Sequence, residues 1–339
     1  MKYYKMRFHS ALHVDSKGSG KPESIDEFIR SDTLSAALCL SHKALYPETK
    51  QDFFLNPPFQ VSSAFPFIGD LLLFPCPVWR IWDNMDIKNR KKVKKIKWIS
   101  QKILERVLQG KDVDIDGMRL LECGIAITKD EELILPEALP GPAWAITERQ
   151  RVTVDRLGLK DGGDTFFFGL QFFDPFSGLY FLAQEPDDTP GFLENALTFL
   201  GDSGIGADRN CGLGHFKIAG AGTCNLNIPT KAEGSFTISL FNPGQKDNLK
   251  TLTSACAYSL ETRSGWIHNS TVGRPPIRVF SEGAYFSGHP VGHVVEMLPK
   301  DTRQRYQLPI SHSAPRDFRV FSLPCKKPSK VNSAEVHHE

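Results

Sequence analysis

Several things are missing from this chain, and each absence removes a class of function. No run of apolar residues approaches the ~20 that a membrane helix needs, and the opening MKYYKMRFHS carries no apolar signal core. The seven cysteines are odd in number, scattered, and never spaced as C-x-x-C. That argues against a cysteine-rich zinc site and against a secreted disulfide framework. A reduced, cytoplasmic protein is the expectation. Charge of one sign is missing too: 41 Lys and Arg stand against 39 Asp and Glu, net +2. A whole-molecule affinity for polyanions is excluded, so any basic function must be local. With 339 residues, about two domains are expected.

Glycine, by contrast, is concentrated. Gly201–Phe216 reads GDSGIGADRNCGLGHF, with five glycines in sixteen residues. It lacks the Gly-Lys-Ser/Thr ending of a P-loop. It also follows a helical stretch (Phe192–Leu200) and precedes a strand, the reverse of a dinucleotide-binding turn. A loop pressed against a nucleic-acid backbone, with Arg209 as its cation, fits. A helix C-cap followed by turn glycines fits as well.

The order of elements comes from periodicity. Lys2–Ser10 alternates as a strand, and residues 29–45 form a helix that Ser31 or Asp32 can cap. Residues 60–80, with Pro66, Pro75 and Pro77, read as packed loop with short strand pieces. Lys88–Lys97 holds seven Lys or Arg in ten residues and leads into a helical pattern through Leu108. It suits a solvated basic face or a phosphate-contacting surface. Residues 143–159 alternate β-formers with Arg149, Arg151 and Arg156. Arginines placed so can fork onto phosphate or stack on bases, or simply guard a strand edge. Residues 166–183 read as two aromatic strands around the Asp174–Gly178 turn. With an insertion at about 55–165 removed, the order is βαββαβ, a ferredoxin-like arrangement. After a linker, residues 235–325 read as a weaker second copy. It has a helix at 249–260 and strands near 265–268, 277–280 and 293–298. The tail 326–339 is polar and expected to be disordered, with His337 and His338 too few for a metal tract.

These stretches, in this order, resemble a known family. LHVDSKG (12–18), FIRSDTLSAALC (28–39), VSSAFPFIGDLLLFPCP (61–77), KKVKKIKWIS (91–100), RQRVTVDR (149–156) and GADRNCGLGHF (206–216) are similar to the RAMP superfamily of CRISPR proteins. Within it they resemble the type III-A Csm-complex subunit that caps the 5′ end of the guide RNA. The resemblance implies an α+β chain of two ferredoxin-like (RRM-like) RAMP domains, 1–226 and 235–325, with a β-hairpin thumb and a glycine-rich loop. It implies a non-catalytic role: holding the 5′ tag of the guide RNA, and bridging a neighbouring RAMP backbone subunit to the large polymerase-like subunit. No cofactor or metal is implied.

Carried over by position, Gly204, Gly206, Arg209, Gly212 and Gly214 would lie along the guide backbone. Arg149, Arg151 and Arg156 would form the thumb, and His13, Ser31 and Asp32 would sit by the tag. Lys91 and Lys94 from the lysine run join the candidate RNA contacts. Asp208, Asn210 and Cys211 depart from the more basic or small polar loop of the family.

Two rival classes are open. A metal-independent RAMP endoribonuclease that processes CRISPR RNA would use histidines such as His9 and His13 as acid and base. A purely structural protein-binding module would make no RNA contact. A metal nuclease would need clustered carboxylates, and the only dense acidic alternation, Asp112 to Asp116, reads more simply as a solvated turn.

Overall fold

In the computed structural model, the described residues are 1–15, 21–50, 52–83, 87–137, 141–154, 163–186, 191–267, 270–310, 312–331 and 335–336. The fold is mixed α+β. The first half comprises β1 (Lys2–Phe8), α1 (Ser31–Leu45), β2 (Phe65–Ile68), β3 (Leu71–Pro75), α2 (Ile87–Val93), β4 (Trp98–Ser100) and α3 (Gln101–Leu108). It continues with β5 (Met118–Leu121), β6 (Ile125–Thr128), β7 (Trp144–Val154), β8 (Gly163–Phe173), β9 (Ser177–Gln184), α4 (Phe192–Ser203) and β10 (Phe216–Thr223).

One sheet runs β10-β1-β9-β2-β3-β4-β6-β5. Its first four strands, with α1 and α4, make a β-α-β-β-α-β succession in spatial order fourth, first, third, second. Alternation in β1 explains the two faces. Tyr4, Met6 and Phe8 point into a core with Leu34, Leu38, Leu193, Leu197 and Leu200 of the two helices. Tyr3, Lys5 and Arg7 point the other way.

The second half has β11 (Gly234–Thr237), α5 (Leu249–Leu252), β12 (Cys256–Tyr258), β13 (Leu260–Arg263), β14 (Ile277–Phe280) and β15 (Tyr285–Ser287). It ends with β16 (Val294–Glu296), α6 (Lys300–Arg305), β17 (Pro315–Asp317), β18 (Ser322–Cys325) and β19 (Glu335–Val336). Its sheet, β18-β11-β15-β12-β19, again places the fourth, first, third and second strands side by side, with a parallel strand added at the end. One large core is shared by both halves: Ile103, Val107 and Trp98 from the first pack with Phe236, Tyr285 and Leu323 from the second.

The structure departs from several expectations. The helix expected at 249–260 is four residues long. Thr253 Oγ1 donates back to the Leu249 carbonyl and Ser254 Oγ to that of Thr251, closing the turn. Cys256–Tyr258 then continues as sheet. Residues 277–280 and 294–296 are strands outside that sheet: β14 pairs with β13, and β16 with β17. The helical pattern from 88 to 108 is broken by β4, whose Trp98, Ile99 and Ser100 are all buried. Residues 60–80 are more regular than their prolines suggest, because Pro66 and Pro75 are accommodated in short strands of the main sheet.

The tail is not loose where it is described. Lys326 N–H donates to the Leu108 carbonyl, Lys330 pairs with Asp112 at 2.9 Å and Asp83 at 3.1 Å, and Val331 is buried. Polar composition hid these anchors. His337 and His338 lie outside the described residues.

Candidate nucleic-acid interface

The second aromatic strand of the sequence does not pair with the first. β9 joins the main sheet, while β8 pairs with β7 over eleven residues, from Trp144↔Phe173 to Val154↔Gly163. The expected Asp174 turn forms, with the Ser177 N–H on the Asp174 carbonyl, but it joins strands of different sheets. The result is an antiparallel ribbon whose outer strand β7 is almost wholly exposed. Cross-strand partners share a face, so Arg149, Arg151, Phe166, Phe168, Leu170 and Phe172 lie on one side. Arg149 sits 5.5 Å from the Phe172 ring centre and Arg151 3.9 Å from that of Phe168, both within cation–π range. Arg156 lies outside the described residues.

The glycine loop packs against this same face. Ala207 and Leu213 join Phe168, Leu170 and Ala11 in a small apolar cluster. The loop's shape requires its glycines. Gly214 has φ +72°, and a Cβ there would lie 1.8 Å from the Ile205 carbonyl oxygen. A Cβ on Gly206 would lie 2.3 Å from the His13 carbonyl oxygen. Backbone bonds hold the loop in this shape: the His13 carbonyl accepts the Ala207 N–H at 2.9 Å, the Ala11 carbonyl that of Gly214 at 2.8 Å, and the Gly214 carbonyl that of Ile205 at 3.0 Å. Gly204 ends α4 at φ +77°, and Gly212, at φ +83°, faces open space. Glycine density therefore reports first a tight loop anchored on residues 11–13, with an exposed tip at Arg209–Gly212.

Arg151 donates to the Asp208 carboxylate, tying ribbon to loop. Among the described residues Arg149 and Arg209 take no ion pair. Asp208 therefore has a role that composition alone did not suggest: it offsets one of the three arginine charges and ties Arg151 to the loop.

His13 does not present an open imidazole. It is buried, stacks on Phe168 at 4.2 Å, and its Nδ1 donates to the Gly169 carbonyl at 2.8 Å. A carbonyl only accepts, so Nδ1 carries a proton. His9 is exposed and faces His215, with ring centres 6.2 Å apart. The convergence of His9 with His13 that the endoribonuclease alternative would need is not formed: β1 ends at Phe8, well before His13.

Ser31 and Asp32 are also corrected. Both are buried in the first turn of α1 and bind the second half of the chain instead of solvent. Ser31 Oγ accepts the Leu240 N–H at 3.0 Å. Asp32 pairs with Arg263 at 3.1 Å, and its backbone carbonyl accepts from Arg316 at 2.9 Å. Burial pushes the Asp32 carboxyl up, but Arg263 and Arg316 outweigh it, and the group ends below the usual carboxylate range. Arg30, Glu282, Glu261 and Asp26 extend this buried network.

Lys91 and Lys94 are exposed, and among the described residues neither takes an ion pair. A chain of contacts links their segment to the ribbon: Lys97 pairs with Glu27, whose backbone carbonyl accepts from Gln171 Nε2 on β8 at 3.0 Å. The Gly169 N–H on the same strand donates to the Pro22 carbonyl at 2.9 Å.

The acidic run takes partners within the chain. Asp112 pairs with Lys330, and Asp114 Oδ1 accepts the Asp116 N–H at 3.2 Å. Among the described residues no three His, Cys, Asp or Glu are grouped to hold a metal ion. No helix of the described chain is long and apolar enough to cross a membrane.

Comparison with known proteins agrees with this architecture. Residues 230–313 match the family model of the CRISPR Csm4 C-terminal domain. The CRISPR system Cms protein Csm4 of Thermococcus onnurineus is 25% identical over 298 residues, covering 84% of this chain and 86% of that protein. Its namesake from Mycobacterium tuberculosis is 23% identical over 265 residues, covering 76% and 80%. Among solved structures, a chain of the Csm3-Csm4 subcomplex of the type III-A CRISPR-Cas interference complex superposes with a TM-score of 0.65 at 17% identity, over 96% of this chain and 99% of that one. A chain of the Csm1-Csm4 cassette in complex with cA4 gives 0.58 at 18% identity, over 97% and 98%. In fold and in its C-terminal region the chain is similar to the Csm4 proteins of type III-A CRISPR systems. The chain is thus Csm4-like, resembling the type III-A Csm-complex subunit.

Proposed function

We propose that this chain is a non-catalytic subunit of a type III-A CRISPR effector complex, holding the 5′ tag of the guide RNA. It joins a neighbouring RAMP backbone subunit to the large polymerase-like subunit, serving antiviral defence. Its halves, 1–226 and 235–325, are two ferredoxin-like domains; the repeated fourth-first-third-second strand order supports that reading. The β7–β8 ribbon is the thumb.

The observation that carries the proposal is the convergence of the arginine–aromatic face of the ribbon with the glycine loop at Arg151, Phe168 and Asp208. Single-stranded RNA is held by this kind of surface: cations for phosphates, aromatic and guanidinium planes for bases, and a bare backbone that lets the strand come close. Arg149, Arg209 and the exposed tip at Gly212 supply the direct contacts, Arg151 a shared one, and Lys91 and Lys94 a longer-range attraction. Gly204, Gly206 and Gly214 shape the loop. His13 positions Phe168.

Purifying the chain with its native partners and sequencing the bound RNA tests this reading. Short RNAs that share one fixed 5′ segment are expected. Cleavage of a repeat-containing RNA by the chain alone would overturn it in favour of the endoribonuclease.

A further inference from the structure

The face of β1 and β10 that points away from α1 and α4 carries a column of cations. The antiparallel register sets Arg7 directly opposite Lys217, and one step further the His9 N–H donates to the His215 carbonyl. Strand alternation puts Lys5 and Tyr3 on the same face, opposite Gly220 and Gly222. Arg7, Lys217 and His9 are exposed, and among the described residues neither Arg7 nor Lys217 takes an ion pair. Like charges directly opposite each other on a sheet destabilise it, so this pair works against the fold unless an anion lies across it.

The far end of the column is shaped as well as charged. The Tyr3 ring lies over bare backbone: a Cβ on Gly222 would come within 3.0 Å of it. Beside it is a cleft of about 340 Å³, lined by Tyr3, Lys5, Asp70, Leu72, Gln101 and Asn225. Lys5 Nζ donates to the Gly69 carbonyl at 2.8 Å and pairs at 3.2 Å with Asp70, the one carboxylate lining the cleft among the described residues. From Tyr3 to His9 the column spans six residue steps, roughly 20 Å at ~3.4 Å per residue.

We propose that this column is a second RNA-contacting track. It would take the sugar–phosphate backbone of single-stranded RNA at Arg7 and Lys217 and a base against Tyr3. The inference rests on the RNA-holding reading above, and the two sites are continuous: His215 directly follows Gly214 of the glycine loop. That continuity favours one RNA strand running from loop to sheet over an acidic protein surface, which would need only the charges and not the ring over bare backbone. Tyr3 is half-buried, with its remaining surface open to a base, and sheets that combine cations with an aromatic are an established way to hold single strands.

The test uses the full chain and two 5′-labelled single-stranded RNAs, of about 4 and about 16 nucleotides, the ends of the usual range for such sites. Binding is followed by fluorescence anisotropy against salt for the wild type and for Arg7→Ala/Lys217→Ala. Both side chains are exposed, so the variant keeps its fold. On the long RNA, the variant loses about 1.4 from the slope of log affinity against log salt, two phosphate contacts at ~0.7 each. On the short RNA, held by loop and ribbon alone, it matches the wild type. Equal binding by variant and wild type at both lengths would overturn the track and leave the loop and ribbon reading standing. So would equal losses at both lengths, or unchanged RNA binding with lost association to an acidic protein partner. Failure of the wild type to bind either RNA would instead remove the RNA-holding reading itself, and the track with it.

Discussion

Arg151 and Asp208 clasp the ribbon to the glycine loop: the guanidinium lies over the Phe168 ring and donates to the Asp208 carboxylate. Both side chains are about one-third exposed, at 31% and 34%, so water screens the pair. The clasp therefore contributes little to stability, on the order of 0–1 kcal/mol. Its consequence is electrostatic: on the proposed RNA-holding function, Asp208 competes with phosphate for Arg151.

Replacing Asp208 by Asn should release Arg151 to the RNA. The salt dependence of RNA binding should steepen by about 0.7, one single-strand phosphate contact. Thermal stability should barely move. Filter binding over a salt series reads the slope. An unchanged slope would mean that Asp208 does not compete with phosphate for Arg151.

Among the described residues Arg149 and Arg209 have no carboxylate to release. Arg149→Ala and Arg209→Ala should each weaken RNA binding and flatten the salt slope by about 0.7, with the double variant near the sum. Weaker binding with no change of slope would show that the two arginines stack without contacting phosphate.

The loop glycines are not equivalent. Gly212→Ala meets nothing within 4 Å, so only its φ of +83° costs, roughly 1–2 kcal/mol. Gly214→Ala adds a Cβ 1.8 Å from a backbone carbonyl oxygen, and strain plus overpacking should reach about 3 kcal/mol or more. Urea unfolding of the two variants gives the order; similar losses would show that the loop relaxes around Gly214.

Asp32 should leave a signature in acid. Its folded-state pKa lies below the unfolded value, so it contributes stability above about pH 3.9, lost as pH falls through the lowered folded value. Asp32→Asn should flatten the acid limb of stability against pH. Arg263→Ala should cost about 3–5 kcal/mol, because it leaves the carboxylate buried without its partner. An acid limb identical in Asp32→Asn and wild type would refute this account of the pair.

The sequence was legible where a local rule governs. Alternation from Lys2, the helix through Leu34 and Leu38, and the arginine strand around 149–151 each follow from spacing. It was illegible where distant partners decide. Nothing near Ser31 and Asp32 in sequence announces Leu240, Arg263 or Arg316, so buried joints read as surface caps. The aromatic run of β8 matches β7 and β9 equally well by pattern; in the fold it pairs with β7 and packs against the loop, while β9 is taken by β1 and β2. The short strands of the second half carry too few residues for a period, although residues 230–313 are the part matched by the family model. Asp208 looked like a departure from a basic loop until the fold placed it on Arg151.

Photo-crosslinking of the native complex, with 4-thiouridine placed in the 5′ segment of the guide RNA, tests the central claim most directly. Peptides from 144–173 and 204–216, including the exposed Cys211, should carry the crosslinked nucleotides. Crosslinks from that segment confined to other parts of this chain, or to the partner subunits alone, would contradict the account.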